Sequence, residues 1–476
     1  MAQPPRLIQG ERRGGQILVH DGYRYQRNRA VVGRKIYWRC ADPLCRAPLQ
    51  TNYFVPGPDA NIAILGPVPQ PNHPHRPEVE RIDRHDFLNN VKDTIEQDPS
   101  LPIRRAYNTE YLAIPAQRRQ DVPTFEEIRS TLQRHRMSFI PMVPRDVHDV
   151  DIQGPWAETW DGNRKLLAID NDVGVCIFAS DEELRTLSHC RELFIDGTFK
   201  TAPHPYTQII TIHGKYHGWT LPFVMALSTG KTEAQYRFLL REVRNAIQGL
   251  TNNNFEPNFV VTDFEVALIN AIDHELRSET RGCYFHFCQS LMRKVSDLGL
   301  KGPYERDPDV QQVVRRMLAL GYLPAPHVRL MFVTYTAGRR VQEVIQRFPN
   351  LQLFFDYIEN TYINGPVFRI GFWNVHNRRM DSRTNNYSEG FFSKWNRELM
   401  VRHPNIWFVI RRIKNEGEKT RLKSRRADMG DRRPKRKLKW RKLERRITNL
   451  RRSLRRGDRN LRDYWSAVVY VTKAFA

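Results

Sequence analysis

The sequence predicts a multidomain α/β protein: a small β-rich module, a helical region, then a mixed α/β core interrupted by a helical insertion. Three observations carry that expectation. The chain has 476 residues, too many for one compact core. Its patterning changes along the way, from short alternating runs with turn pairs, to apolar residues at helical spacing, to apolar strands alternating with helices. Finally, two of the later apolar runs end in a carboxylate, Asp196 in RELFIDGTFK and Asp263 in NFVVTDFE.

Bulk composition narrows the partners. Hydrophobic residues make up 40%, with nine Trp, 18 Tyr and 24 Phe, enough to bury real cores. The formal charge is +24, which points to a polyanion, with nucleic acid the first candidate and a membrane surface the second. No basic amphipathic helix with a clean apolar face stands out near either end, and no run approaches 18 apolar residues, so no membrane span is expected. Six cysteines in so long a chain do not make a disulfide scaffold; a reducing compartment with some cysteines on metal is expected.

The first module, 7–76, reads as short strands in GQILVHDGYRY, VGRKIYWRC, LQTNYFV and ANIAILG, separated by Asp-Gly, Gly and Pro-Gly turns. Cys40, Cys45, His73 and His75 lie within it. Two thiolates and two imidazoles match a closed tetrahedral zinc site, and in so small a module the metal would contribute folding energy directly. The alternative is two incidental cysteines and a His-Pro-His in a proline-rich loop. Gly22-Tyr23-Arg24-Tyr25, Tyr37-Trp38-Arg39-Cys40, Cys45, Thr51 and Asn72-His73-Pro74-His75 resemble a FLYWCH-type zinc finger over nearly the whole module. That resemblance implies binding to DNA, or occasionally to protein. Arg24, Lys35 and Arg39, with Arg27, Arg29 and Arg34, make DNA plausible, although a solvated basic face explains them equally well.

Residues 77–155 carry apolar residues at helical spacing, such as Phe125, Ile128 and Leu132, behind the helix start signal Asp121-Val122-Pro123-Thr124. This is expected to be a helical linker or DNA-binding region with an Arg-rich surface. It resembles the helical region that often precedes the core in Mutator-like transposases, and a plain spacer reads equally well.

The core spans 165–400. Strands are expected at 193–199, 206–213 and 219–228, a helix at 233–248, then strand 259–262, helix 265–276, strand 282–287 and helix 289–298. This βββαβαβ-α order is that of an RNase H-like sheet, in which three antiparallel strands are extended by parallel ones through right-handed crossovers. Asp196 and Asp263 then become neighbours. Residues 299–380 form amphipathic helices inserted before Glu389. Thr384 and Asn385 offer caps for the next helix, and Phe392, Trp395 and Leu399 supply its buried stripe. Glu389 shares a face with Phe392 and Asn396 and so points over the sheet. From 401 to 476 the chain turns intensely basic after NIWFVIRRI, and mostly solvated helix or disorder is expected there. Within it Arg432, Arg433, Lys435, Arg436 and Lys437 (RRPKRK with Pro434) fit both phosphate contact and a nuclear localisation signal.

Three carboxylates on two strand ends and a helix can hold two divalent metals, the chemistry of cutting and joining phosphodiesters. Asp196 would co-ligate both Mg²⁺ or Mn²⁺ ions, with Asp263 and Glu389 holding one each. Read singly, Asp196 and Asp263 also fit turn-capping residues at strand ends. Asp196-Gly-Thr-Phe199, the helix start at 232–240, Thr262-Asp263, Cys283-Tyr-Phe-His286, and Thr384-Asn385-Asn386 with Ser388-Glu389 resemble a Mutator-like element (MULE) transposase domain over roughly 190–400. The resemblance implies an acidic catalytic triad of Asp196, Asp263 and Glu389, with Cys283 and His286 near the active site. On an ideal strand Cys283 and His286 diverge, and as a zinc pair they need two further ligands, for which Cys288 or His376 are the available guesses. A role for His286 in supporting the metal-bound carboxylates or in contacting DNA is the preferred reading. Trp373 resembles the aromatic that comparable transposases stack against a displaced base, and it fits a core Trp equally well. There is no Walker loop, no GxGxxG opening a helix, no GxSxG and no HExxH. The expected function is a metal-dependent DNA transposase with a structural zinc finger, acting in the nucleus on transposon ends and target DNA as a homo-oligomer. The alternatives are a domesticated, non-catalytic DNA-binding transcriptional regulator and a zinc-dependent protein-interaction module.

Overall fold

The computed structural model describes residues 4–9, 16–45, 47–55, 61–66, 72–379, 381–399, 403–435 and 437–471. The chain divides into two compact units, Met1–Met142 and Val143–Ala476.

The first unit opens with five strands, β1 (Arg6–Gln9), β2 (Gln16–His20), β3 (Tyr23–Val31), β4 (Lys35–Cys40) and β5 (Pro48–Asn52), paired antiparallel in chain order. Asp21 and Gly22 both have positive φ, 49° and 79°, and join β2 to β3 with His20 paired to Tyr23. A two-residue loop of this kind matches the right-handed twist of the strands, which is why Asp-Gly sets the register here. Leu18, Tyr25, Ile36, Trp38 and Leu49 fill the core of the sheet, and the Trp38 indole donates to Thr51 Oγ1 at 2.9 Å. Three helices follow: α1 (Val79–Gln97), α2 (Ile103–Ala113) and α3 (Phe125–Met137). They close over Phe87, Val91, Ile95, Ala106, Phe125, Ile128 and Leu132. Thr124 and Glu127 form a reciprocal capping box at the start of α3, the signal expected from the sequence. Helix α1 is tied to the sheet, since Ile82 packs with Ile8, Ile17 and Val19.

The second unit is built on a seven-stranded sheet. Its strands are β6 (Leu166–Asp170), β7 (Val175–Phe178), β8 (Glu192–Thr198), β9 (Gln208–Tyr216), β10 (Trp219–Ser228), β11 (Phe259–Thr262) and β12 (Glu279–Gly282), in the spatial order β12-β11-β8-β9-β10-β7-β6. Strands β8, β9 and β10 pair antiparallel, while β11 runs parallel to β8 and β12 parallel to β11. The expected order of β8 to β12 is present, and β6 and β7 extend it at one edge. Helices α4 (Asp181–Ser188), α5 (Glu233–Thr251) and α6 (Val266–Leu276) bury one face, where Leu184, Tyr236, Leu239, Val243 and Ile272 meet Leu193 and Ile195 of β8. The opposite face of β8 carries Phe194, in a separate cluster with Val261 and Cys283. Alternation along β8 therefore places Asp196 on the Phe194 side.

One expectation is corrected. The strand expected at 282–287 ends at Gly282, and α7 (Tyr284–Asp297) starts two residues later. Tyr284, Phe287, Cys288, Leu291 and Val295 are buried at helical spacing, so a stripe facing one core outweighs the β propensity of the aromatic run. The basic region after 401 is mostly helical among the described residues, and most of 421–457 is exposed, as expected, although its helices also dock on the core. After α7 come α8 (Lys301–Arg306), α9 (Pro308–Leu318), α10 (Ala325–Thr336), α11 (Arg339–Arg347), α12 (Asn350–Ile358), α13 (Ile370–Trp373), α14 (Asn386–Leu399), α15 (Ile406–Asp428), α16 (Leu438–Arg455) and α17 (Leu461–Val471). Helix α15 buries Trp407, Val409, Ile410 and Ile413 and lies against β10 and α4. Leu443 and Ile447 of α16 and Tyr464, Trp465, Val468 and Val469 of α17 join the same core as α7 and the inserted helices. No helix among the described residues is long and apolar enough to cross a membrane.

Candidate functional site

The acidic site is assembled by β8, the end of β11 and the start of α14. Phe259, Val260 and Val261 pair with Glu192, Leu193 and Phe194. Continued one residue at a time, that register brings Asp263 level with Asp196. Asp196 Oδ1 accepts the Gly197 N–H at 2.9 Å. A Cβ at Gly197 would stand 2.3 Å from Gln208 Nε2, so a larger residue here would displace that buried amide. Asp263 Oδ1 accepts the Glu265 N–H at 3.2 Å, and Glu265 is reached by Tyr236 Oη at 3.2 Å.

Glu389 arrives on the first turn of α14, pinned by its neighbours. Asn385 Nδ2 donates to the Ile195 carbonyl at 3.1 Å, one residue before Asp196, and the Asn385 N–H donates to Cys283 Sγ at 3.1 Å. Ser388 Oγ donates to Asn385 Oδ1 at 2.8 Å, fixing the amide's orientation. Thus the expected cap residue divides its amide, Nδ2 reaching β8 and Oδ1 taking the Ser388 hydroxyl of its own helix. Glu389 Oε1 is buried with no hydrogen-bond partner.

The electrostatics show that these groups converge. Burial, with the charges of Asp263 and Glu389 adding to it, pushes the Asp196 carboxyl up to about 7. Burial likewise pushes Glu389 up to about 7. Glu265 is raised by burial and then by Asp263, which makes it a fourth carboxylate in this field. Sequence reasoning passed over Glu265, although a second carboxylate two residues after Asp263 in TDFE was visible. Cys283 immediately precedes α7 and His286 sits on its first turn, so the two converge instead of diverging. Their ligand atoms and one from Glu389 all lie within 4.8 Å of one another.

In the first unit Cys40, Cys45, His73 and His75 also offer ligand atoms within 4.8 Å of one another. Cys40 Sγ lies 3.3 Å from His75 Nε2, and Cys45 Sγ lies 3.2 Å from His73 Nδ1. The remaining ring nitrogens are held by Tyr25 Oη, 2.8 Å from His73 Nε2, and by the Arg76 carbonyl, 3.0 Å from His75 Nδ1. Orienting partners of this type fix the tautomer of a metal-bound histidine. Burial, together with the neighbouring Cys45, pushes the Cys40 thiol up to about 11. A cation is what would hold the Cys40 sulfur deprotonated at neutral pH.

Comparison with family models matches a MULE transposase domain over residues 192–290 and a FLYWCH zinc finger domain over residues 9–61. The chain carries both domains. A search of curated proteins finds no match. The two domains support a transposase-related, DNA-binding protein, and the FLYWCH domain with its Cys/His cluster supports zinc binding. The MULE match runs from β8 to α7 and contains Asp196, Asp263, Cys283 and His286, whereas Glu389 lies beyond it. The FLYWCH match contains Cys40 and Cys45, and the two histidines follow it.

Other expected residues fall differently. Trp373 of the MULE-domain unit is 0% exposed, its indole donates to the Tyr362 carbonyl at 3.1 Å, and it stacks on Phe287 at 4.7 Å. Fully enclosed, it is a core aromatic and not a platform for a displaced base. His376 Nδ1 is bonded to the Tyr322 carbonyl at 2.7 Å and Cys288 packs in the helical core, so neither joins Cys283 and His286. In the FLYWCH sheet Arg24 is 5% exposed and paired with Glu78 at 2.8 Å, which removes it from phosphate contact. Lys35 is half-buried over the Tyr37 ring, and Arg39 is exposed. Arg432, Lys435 and Lys437 are exposed, and Arg436 lies outside the described residues. Arg433 donates to Tyr387 Oη at 2.6 Å, and that ring meets Phe194 beside the acidic site.

Proposed function

We propose that this chain is a Mutator-like DNA transposase that cuts and joins strands with two divalent ions held by Asp196, Asp263 and Glu389. The observation that carries the reading is the convergence of three carboxylates from β8, β11 and α14, two of them held near pH 7 by burial. Mutually repelling, half-buried carboxylates with an unpartnered Glu389 oxygen fit a site that a cation completes. An all-oxygen set suits Mg²⁺ or Mn²⁺, and when bound such ions supply activation of water or a 3′-OH and stabilisation of the leaving oxygen. The protein's own part is positioning. Asn385 locks α14 to β8, the Gly197 N–H orients Asp196, and Glu265 and Tyr236 support the side of Asp263.

The sheet order β10-β9-β8-β11-β12, three antiparallel strands extended by two parallel ones, supports an RNase H-like core. The exposed Arg39, Arg432, Lys435 and Lys437 support phosphate contacts, which hold a duplex without reading it. On this reading the finger locates transposon ends or target DNA, the basic segment before α16 leads the backbone toward Asp196, and the enzyme works in the nucleus as a homo-oligomer.

The test is nicking of supercoiled plasmid in Mn²⁺ by the full chain and by Asp263→Asn, with folding and DNA binding checked for both. Nicking that disappears only in the variant supports the triad. Equal nicking in both removes Asp263 from the site. Tight DNA binding without cutting, on DNA carrying the element's own ends, leaves the domesticated transcriptional regulator.

A further inference from the structure

We infer that Cys283, His286 and Glu389 form a second zinc site, whose occupancy draws Glu389 away from the oxygen-only carboxylate set. A Cys-x-x-His pair across a helix start puts both side chains on one side of the first turn, because residues three apart are helical neighbours. The bond from the Asn385 N–H to Cys283 Sγ then docks the start of α14 against the start of α7 and delivers Glu389 to that side. The result is three donor atoms within 4.8 Å of one another. Two ligands of one tetrahedral zinc ion stand about 3.3–3.8 Å apart, given bond lengths of about 2.0–2.3 Å, so closure needs only small side-chain rotations.

Two further observations point to a ligand. Glu389 Oε1 and His286 Nδ1 are both buried without a hydrogen-bond partner. An unpaired buried polar atom is costly, and a shared cation would relieve both at once. Taken alone, Cys283 is a buried thiol accepting the Asn385 N–H; that role leaves the His286 and Glu389 atoms unexplained. The donor types select the ion. Thiolate and imidazole favour zinc over magnesium, whereas Asp196 and Asp263 offer only hard oxygen. Three protein ligands leave a fourth position for water or a phosphate oxygen, as in zinc sites that are open rather than purely structural. Zinc and the oxygen-bound ions therefore compete for one residue. Only that competition rests on the proposed transposase reading; the binding itself does not.

The experiment counts zinc per chain by elemental analysis, on full-length protein saturated with zinc and then desalted into excess Mg²⁺. Two ions per chain are expected, with Cys283→Ser and His286→Ala each retaining one. His286 is partly exposed on a first turn, so His286→Ala serves even if loss of the buried Cys283 thiol impairs folding. One ion in the unaltered chain, or two persisting in both variants, overturns the site. A count of one with nicking abolished by Asp263→Asn would sink this inference alone. A count of two with nicking unchanged in Asp263→Asn would sink the transposase reading alone.

Discussion

Binding of Mn²⁺ at the carboxylates should be steeply pH-dependent across neutrality. Asp196 and Glu389 are each held at about 7. A carboxylate with that value is about 90% ionised at pH 8 and about 10% ionised at pH 6, and a divalent ion binds only the ionised form. Each group thus weakens binding about tenfold over those two pH units, and the pair about 100-fold. Ordinary carboxylates, with values near 4, would stay ionised throughout and show almost no change. Calorimetric titration of Mn²⁺ without added zinc measures this directly. Asp196→Asn, which leaves one such group, should show about a tenfold change on top of its weaker binding. A change of less than about twofold between pH 6 and pH 8 in the unaltered chain would refute the convergence argued from burial. The same shift acts on folding with the opposite sign to the usual surface carboxylate. The folded state binds the Asp196 proton more tightly than the unfolded chain, so this contribution is intact below about pH 4 and is lost as pH rises through about 7. At pH 8, without Mn²⁺ or Mg²⁺, the penalty at Asp196 is on the order of 4 kcal/mol. Asp196→Asn should accordingly raise the melting temperature of the C-terminal unit at pH 8 and leave it nearly unchanged at pH 4.

Two further outcomes follow from contacts away from that chemistry. Tyr25→Phe removes the hydroxyl that orients His73 Nε2 and should weaken zinc binding by the finger about 10–100-fold in competition with a chelator. Trp373→Ala should cost about 3–5 kcal/mol in denaturant unfolding while the folded fraction keeps its DNA affinity, because the ring is enclosed. Lost affinity in the folded fraction would reinstate base stacking.

Strand order was legible because β8, β9, β10 and β11 are runs buried from both sides, and such runs announce themselves without alternation. Strand β6 sends a fainter signal. It is half-buried along its whole length, showing neither alternation nor a fully apolar run, and the sequence reading began the sheet at β8. The docking of the C-terminal helices on the core was hidden for a different reason. The buried stripe of α16 is Leu443, Ile447 and Arg451, so one of its three inward positions is a charge. Arg451 sits inside because its guanidinium donates to the Arg378 and Val375 carbonyls, at 3.0 and 2.7 Å. A residue whose stem packs and whose head finds backbone oxygens looks, in sequence, like one more solvated charge.

The site was legible residue by residue but not in its joining. A single element boundary separates the two readings of Cys283 and His286: three residues apart on a strand they diverge, and at a helix start they meet. Glu389 was found through its caps, yet 126 positions separate it from Asp263, and sequence carries no measure of that gap. The physics of closure explains why so long an insertion is tolerated. Loop entropy grows with the logarithm of length, so extending a connection from about a dozen residues to over a hundred costs only about 2 kcal/mol more. The inserted helices offset that through the core they share with α7, α16 and α17, around Val313, Met317, Phe354, Ile358 and Trp373. The ends are then held by contacts that ignore chain distance. Asn385 reaches the Ile195 carbonyl across 190 positions and Cys283 Sγ across 102. Asn385→Ala, which alters no carboxylate, should therefore release α14 from β8, and metal affinity should fall with all three acids still in place.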